Sequence, residues 1–290
     1  MTYLTKEDWT NYLVPKFSDD KSFIEVLKQN IKAQNNFIRL ISRIISSNSE
    51  KQKILTSSMI YYQKYALFIN IEQLDLSPQD KLVIYCACIF IALKEANILI
   101  SIQKLAAIFQ AYFNKLKPFG IDEIKDLIIQ KEFEILYVME FNMDLDCPYD
   151  ILYLLKKYLQ NKGKGKDAII HIIKHINYII NDSILFPLCL YYTPNEIVFS
   201  CILLAQEKYK LDFININELI KLTKTNIDNE NINDCSIYIA KIIKYKDILI
   251  ENNKTITNNA IINENINNNF IQKDKDNLNL KKVAIIQTNN

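Results

Sequence analysis

Apolar residues recur every three or four positions along most of this chain, and this spacing limits its architecture more than any other feature. Phe37, Leu40, Ile41 and Ile45 form one such stripe, and the spacing places them on one face of an α-helix. Only three glycines occur in 290 residues, and strands joined by tight glycine turns are not evident. The pattern therefore predicts an all-α fold as far as about residue 250.

Prolines mark the expected helix starts. Ser77-Pro78, Cys147-Pro148 and Thr193-Pro194 each stand just before an apolar-periodic run. Ser or Thr at the N-cap followed by Pro is a strong start signal, because the N–H that Pro lacks has no partner inside a helix at that position. Asp80 and Glu196 then fall in the first turn, where a negative charge complements the helix dipole.

These starts expose an internal repeat. The segment Ala87-Cys88-Ile89-Phe90-Ile91-Ala92 aligns with Ser200-Cys201-Ile202-Leu203-Leu204-Ala205, and each follows a Ser/Thr-Pro start and precedes a charged helix end. The match favours a duplicated five-helix unit. The predicted organisation is an N-terminal helical segment (1–32), a first unit (33–146), a second unit (147–250) and an Asn-rich, disordered tail (251–290).

The charge and composition argue against several kinds of partner. The net charge is +2, and Arg39 and Arg43 are the only arginines, so direct binding of nucleic acid is not expected. The N-terminal residues lack a signal-peptide pattern. No uncharged apolar run approaches the roughly 20 residues that span a bilayer, so no membrane partner is expected either.

Catalytic and metal-binding patterns are incomplete. His171 and His175 lie one helical turn apart without a third ligand nearby, and Cys86 and Cys88 have no second pair. Gly163-Lys164-Gly165-Lys166 lacks the spacing of a phosphate-binding loop. The sequence therefore predicts no enzyme, no cofactor and no metal, with its cysteines as buried free thiols in a reducing compartment.

Five stretches resemble motifs of the cyclin family, in the family's order and at its separations. They are Tyr61-Tyr62-Gln63-Lys64-Tyr65 for Y-F-K-R-F-Y, Cys88 to Lys94 for (C)-x-F-L-A-x-K, Glu132 to Met139 for E-F-x-L-L-x-x-M, the opening pair Pro148-Tyr149, and Leu188 to Pro194 for L-C-L-x-Y-P-P. Together the matches extend over about residues 35–210.

The resemblance is to the transcriptional, cyclin C- and H-like branch. Gln63 stands where cell-cycle cyclins carry an Asp. The resemblance implies two five-helix cyclin boxes and a non-enzymatic subunit that binds and activates a cyclin-dependent Ser/Thr kinase, acting in transcription or kinase activation. It also implies a nuclear location, and it leaves open a cytoplasmic pool and a third assembly subunit.

The resemblance also assigns a kinase-binding face. Lys94 and Glu132 would bind main-chain groups around the kinase's regulatory C-helix, and Leu136, Phe141 and Met143 would form the apolar wall beside it. Local sequence alone allows other readings: Lys94 as a solvated helix end, Glu132 as an ordinary helix-surface acid, and the three apolar residues as plain core.

The sequence departs from the family pattern at two places. Glu95-Ala96-Asn97 follows Lys94, where cyclins carry an apolar residue and two acids, and residues 35–41 lack the M-R-A-I-L-type motif that recruits R-x-L substrates.

Two other functions stay open: a general transcription factor of the IIB type that has the cyclin fold, and a helical scaffold without a kinase partner.

Overall fold

The computed structural model describes residues 20–69, 76–112, 118–141, 149–211, 213–223 and 227–251, except for the side chains of Asn48, Ser49 and Asp150. A short 3-10 helix covers Pro187–Leu190. The α-helices are α1 Asp20–Ile44, α2 Asn48–Phe68, α3 Pro78–Glu95, α4 Ile102–Tyr112, α5 Ile121–Val138, α6 Asp150–Asn161, α7 Lys166–Ser183, α8 Pro194–Tyr209, α9 Ile216–Thr223 and α10 at residues 229–251.

The prediction of an all-α fold is confirmed, because the described residues contain helices and turns but no strand. Five of the described α-helices precede residue 142 and five follow residue 148. Helix α1 runs without interruption through residues 32 and 33, where the N-terminal segment was expected to end. The division of the chain at residues 33, 147 and 251 stays a prediction.

Two of the three predicted helix starts are confirmed. Ser77 Oγ accepts a hydrogen bond from the Asp80 N–H at 3.1 Å, and the Asp80 carboxylate accepts one from the Ser77 N–H at 3.2 Å. Thr193 and Glu196 form the same reciprocal pair at the start of α8. Such a capping box gives partners to N–H groups that the helix itself leaves unpaired. The third start, Cys147-Pro148, lies outside the described residues.

Helices α3 and α8 each contain a stretch that is buried on every side. Every residue from Val83 to Leu93 is buried, and so is every residue from Ile197 to Ile202. A helix that is apolar on all sides must be enclosed on all sides, and α3 packs against α1, α2, α4 and α5. The apolar stretch Ala87 to Ala92, noted above as part of the repeat, is therefore explained by packing on all sides.

Amide side chains from α1 and α2 hold the segment that follows α7. Gln63 Nε2 donates to the Ile184 carbonyl at 2.7 Å, and Asn30 Nδ2 donates to the Leu185 carbonyl at 3.0 Å. Both amides are buried, so these bonds join the two helix groups inside the protein. An Asp at position 63 would carry a carboxylate, which cannot donate to a carbonyl. This difference explains why an amide suits this position better than an Asp.

Parts of the sequence-based interpretation fall on residues that the structure does not describe. They are the N-terminal residues 1–19 and the tail from residue 252, whose predicted disorder is untested. The chain divides into a compact unit Met1–Ile243 and a unit Lys244–Asn290; in the second, the described residues 244–251 are helical. Among the described helices, none has the length and apolar character needed to span a membrane.

Candidate functional site

Lys94 and Glu132, the two charged residues predicted for the site, form an ion pair. Lys94 Nζ lies 2.7 Å from Glu132 Oε1. Lys94 belongs to the last turn of α3, where the helix dipole favours a positive charge, and Glu132 belongs to the middle of α5. The Lys94 ammonium also lies 4.1 Å from the centre of the Phe90 ring. Packing of α3 against α5 thus brings together two residues 38 positions apart.

The two partners differ in their exposure to solvent. The Glu132 side chain keeps 10% of its accessible surface, whereas the Lys94 side chain keeps 49%. Glu132 is therefore not the ordinary helix-surface acid that its local sequence allows. Because an ammonium has three N–H donors, the half-exposed Lys94 can bind Glu132 and still donate to a partner.

A stripe of exposed aromatic residues, the aromatic stripe, runs along α5 and into the turn that follows it, beside this pair. It consists of Phe133, Tyr137 and Phe141, whose exposed fractions are 62%, 66% and 57%. The Phe133 and Phe141 rings touch edge to face, with 5.9 Å between their centres. Exposed apolar surface that is contiguous commonly marks an interaction site.

The aromatic stripe ends on an unusual backbone conformation. Helix α5 ends at Val138, and Glu140 and Phe141 both have positive φ angles, 54° and 56°. The Phe141 N–H donates to the Leu136 carbonyl at 2.8 Å, the long bond of a Schellman-type helix end. Such a conformation is costly for a residue that carries a side chain, and it is concentrated at functional positions.

The remaining predicted residues have different positions. Leu136 is partly buried and packs against the core, so it contributes to the support of this surface. Phe141 is exposed, which rules out the plain-core reading for it. Met143 lies outside the described residues.

Sequence reasoning missed two members of the aromatic stripe, Phe133 and Tyr137. Together with Ile129, which is also exposed, they recur every four positions. This series forms a second apolar row on α5 beside the buried row that includes Ile124, Ile128 and Ile135. Two adjacent rows on one helix exceed what a single core contact needs, and that excess is the signal that the sequence carried.

Glu95, the residue that departs from the family pattern, faces inward. Its Oε2 accepts a hydrogen bond from the Tyr61 hydroxyl at 3.2 Å, and Tyr61 on α2 is fully buried. Glu95 therefore ties the end of α3 to α2, whereas the neighbouring Lys94 extends toward α5.

A second polar cluster joins α5 to α2. The Tyr65 hydroxyl donates to Glu134 Oε2 at 2.8 Å, and Lys131 pairs with the same carboxylate. Burial alone would raise the pKa of Glu134, but the hydrogen bonds from Lys131 and Tyr65 outweigh it and lower that pKa. The pKa of Tyr65 is raised, by burial first and by Glu134 second. This cluster ties α5 to α2, whereas the Lys94–Glu132 pair ties α5 to α3.

The described histidine and cysteine side chains are held apart or buried. No group of three or more His, Cys, Asp or Glu side chains within the described ranges could hold a metal ion. Burial raises the pKa of the described cysteines, to about 12 for Cys189, and a raised pKa keeps a thiol protonated at neutral pH. His175 stacks on Tyr209 with 4.3 Å between ring centres.

Comparison with known proteins identifies the fold. No family model matches the sequence, and no curated protein matches it. A cryo-EM structure of the yeast TFIIK complex (Kin28/Ccl1/Tfb3) matches with a TM-score of 0.57 and 19% identity, over 82% of this chain and 96% of the other. That complex contains a cyclin H-like subunit. The chain has a cyclin-like fold.

A second structure, the CAK complex from Chaetomium thermophilum bound to ATP-gamma-S, matches with a TM-score of 0.49 and 14% identity, over 75% of this chain and 64% of the other. Because this TM-score is lower, the assignment of the cyclin-like fold depends on the yeast complex. The motifs in the sequence also resemble those of cyclins, and the all-α cyclin-like fold that this resemblance implied is confirmed.

Proposed function

We propose that this chain is a transcription-type cyclin, a non-enzymatic subunit that binds and activates a cyclin-dependent Ser/Thr kinase. The observation that carries the proposal is the aromatic stripe beside the Lys94–Glu132 ion pair, on a chain with a cyclin-like fold. An apolar strip flanked by a charged pair is the composition of a protein interface with a desolvated centre and a polar edge. The yeast complex with the matching fold contains the kinase Kin28.

In the proposed mechanism the cyclin changes the kinase by binding one of its states more tightly. The aromatic stripe packs against the regulatory C-helix of the kinase, and Lys94 donates to main-chain carbonyls at the end of that helix. Packing there orients the C-helix glutamate toward the strand lysine that holds the ATP phosphates. The chain shifts the kinase population only as far as its affinities for the active and inactive states differ.

The proposal extends to where the complex acts and what it contains. Because a kinase of the transcriptional type acts in the nucleus, we propose a nuclear location for the complex. The proposal also includes a third subunit, because the yeast complex has Tfb3 as a third component beside Kin28 and Ccl1.

Co-purification followed by mass spectrometry tests the proposal. Tagged full-length chain should recover a cyclin-dependent kinase, and the double variant Lys94→Ala with Glu132→Ala should lose most of it. Hydrogen bonds to charged groups contribute about 1.5–3 kcal/mol each, so loss of one weakens binding about tenfold or more.

The matched control removes the ion pair between Lys162, which directly follows α6, and Glu218 on α9. Both side chains are about half exposed, and the charged atoms lie 3.1 Å apart. The double variant Lys162→Ala with Glu218→Ala should recover the kinase in wild-type yield. Equal yields from both double variants would show that the proposed face is wrong. Recovery of no kinase, together with salt-sensitive binding to duplex DNA, would instead favour a IIB-like role.

A further inference from the structure

An open groove of about 510 Å³ lies where α1, α2 and α7 meet. Its volume is within the range of about 300–1,000 Å³ that is common for ligand sites. None of the residues that line it belongs to the candidate kinase face, which is carried by α3 and α5. The apolar part of the lining includes Ile38, Leu55 and Tyr178, and both Ile38 and Tyr178 are exposed.

Two asparagines in the groove have their oxygens engaged within the protein. Asn181 Oδ1 accepts from Gln52 Nε2 and from the Tyr149 hydroxyl, each at 2.9 Å. Asn177 Oδ1 accepts from Gln52 Nε2 at 3.4 Å. Neither Asn side-chain nitrogen has a hydrogen-bond partner within the described part of the chain. The groove therefore presents unused N–H donors.

The charge in the groove has one sign. Lys51 lines it and forms no ion pair with any residue that the structure describes. No carboxylate is among the lining residues. Positive charge and N–H donors beside exposed apolar side chains complement a ligand that has negative charge, free acceptors and an apolar group.

An extended peptide has these properties. Its main-chain carbonyls are free to accept, whereas those of a helix are already paired. An acidic side chain can face Lys51, and an aliphatic or aromatic one can lie between Ile38 and Tyr178. We propose that this groove binds an extended, acidic peptide segment of a protein other than the kinase. This site does not depend on the proposed kinase-activating function.

Fluorescence anisotropy with the full chain tests the proposal. The probes are fluorescein-labelled peptides of about twelve residues, in which one Leu or Phe is flanked by glutamates, and matching peptides with lysines in place of the glutamates. The glutamate peptides should bind, and their affinity should fall as salt increases, because exposed charges are screened.

Two pairs of variants locate the binding. Lys51→Glu should weaken binding of the glutamate peptides about fivefold or more, whereas Lys53→Glu, an exposed lysine on the same helix outside the groove, should change it less than about twofold. Ile38→Asp should likewise weaken binding. Ile170→Asp, which changes an exposed isoleucine on α7 outside the groove, should not.

Three results would overturn the proposal: no glutamate peptide binds, lysine peptides bind as tightly, or Lys53→Glu weakens binding as much as Lys51→Glu. Co-purification of the kinase with Lys51→Glu is measured separately. Retention of the kinase is expected, so failure of the groove and failure of the kinase proposal give different results.

Discussion

The Lys94–Glu132 ion pair should respond unequally to loss of its two members. Lys94→Met removes the charge and keeps an apolar stem near Phe90, whereas Glu132→Gln removes the opposite charge at nearly constant volume. The inequality follows from exposure, because Glu132 is largely buried and Lys94 is half exposed.

The difference in exposure between Glu132 and Lys94 sets the free-energy cost of each substitution. Lys94→Met leaves a buried carboxylate without another hydrogen-bond partner among the described residues, and an unsatisfied buried group costs about 1–3 kcal/mol, more when it is charged. We expect about 2 kcal/mol. Glu132→Gln removes the buried charge and lets the half-exposed Lys94 return to water, so we expect a smaller cost of about 0–1 kcal/mol.

Urea denaturation of wild type, the two single variants and the double variant measures these values as a double-mutant cycle. The double variant should be more stable than Lys94→Met alone, because it no longer contains the uncompensated carboxylate. A greater loss of stability in Glu132→Gln than in Lys94→Met would refute the reasoning from burial.

Three further predictions follow from the site and the fold. Phe141→Gly should weaken kinase capture about tenfold or more while leaving the free energy of unfolding unchanged or higher, because glycine relieves the positive φ; a parallel fall in stability and capture would contradict it. Glu134→Gln should lower stability at neutral pH. Since the folded pKa of Glu134 is lowered, its contribution is present above the unfolded value of about 4.3 and lost as pH falls through the folded value, so the stabilities of variant and wild type from urea titrations should differ at neutral pH and converge as pH falls below about 4.3. Ser77→Ala and Thr193→Ala should each cost about 1 kcal/mol through loss of the cap, measured by thermal unfolding; a negligible change would mean that other contacts fix these helix starts.

Local rules were sufficient to predict the fold class and two helix starts. The spacing of apolar residues and the Ser77-Pro78 and Thr193-Pro194 signals depend on backbone geometry within one helix, which a single sequence carries. The pairing of Lys94 with Glu132 is different, because it depends on how α3 packs against α5. Only the resemblance to cyclins placed these two residues on one face.

The exposed row on α5 shows where sequence patterns become ambiguous. Phe133 and Tyr137 have the spacing of core residues, and periodicity cannot say which of two adjacent apolar rows is buried. The positive φ angles of Glu140 and Phe141 carry no sequence signal, because neither residue is glycine or asparagine. The groove at Lys51 depends on side chains from three helices, and no local motif contains them.

The rate of peptide phosphorylation by the captured kinase tests the central claim most directly. The kinase is separated from the chain and assayed with ATP, alone and after addition of wild-type or Lys94→Ala/Glu132→Ala chain. The proposed function predicts at least about a tenfold higher rate with the wild-type chain, a difference of about 1.4 kcal/mol, and little increase with the double variant. A kinase that is equally active alone and with the wild-type chain would contradict the claim.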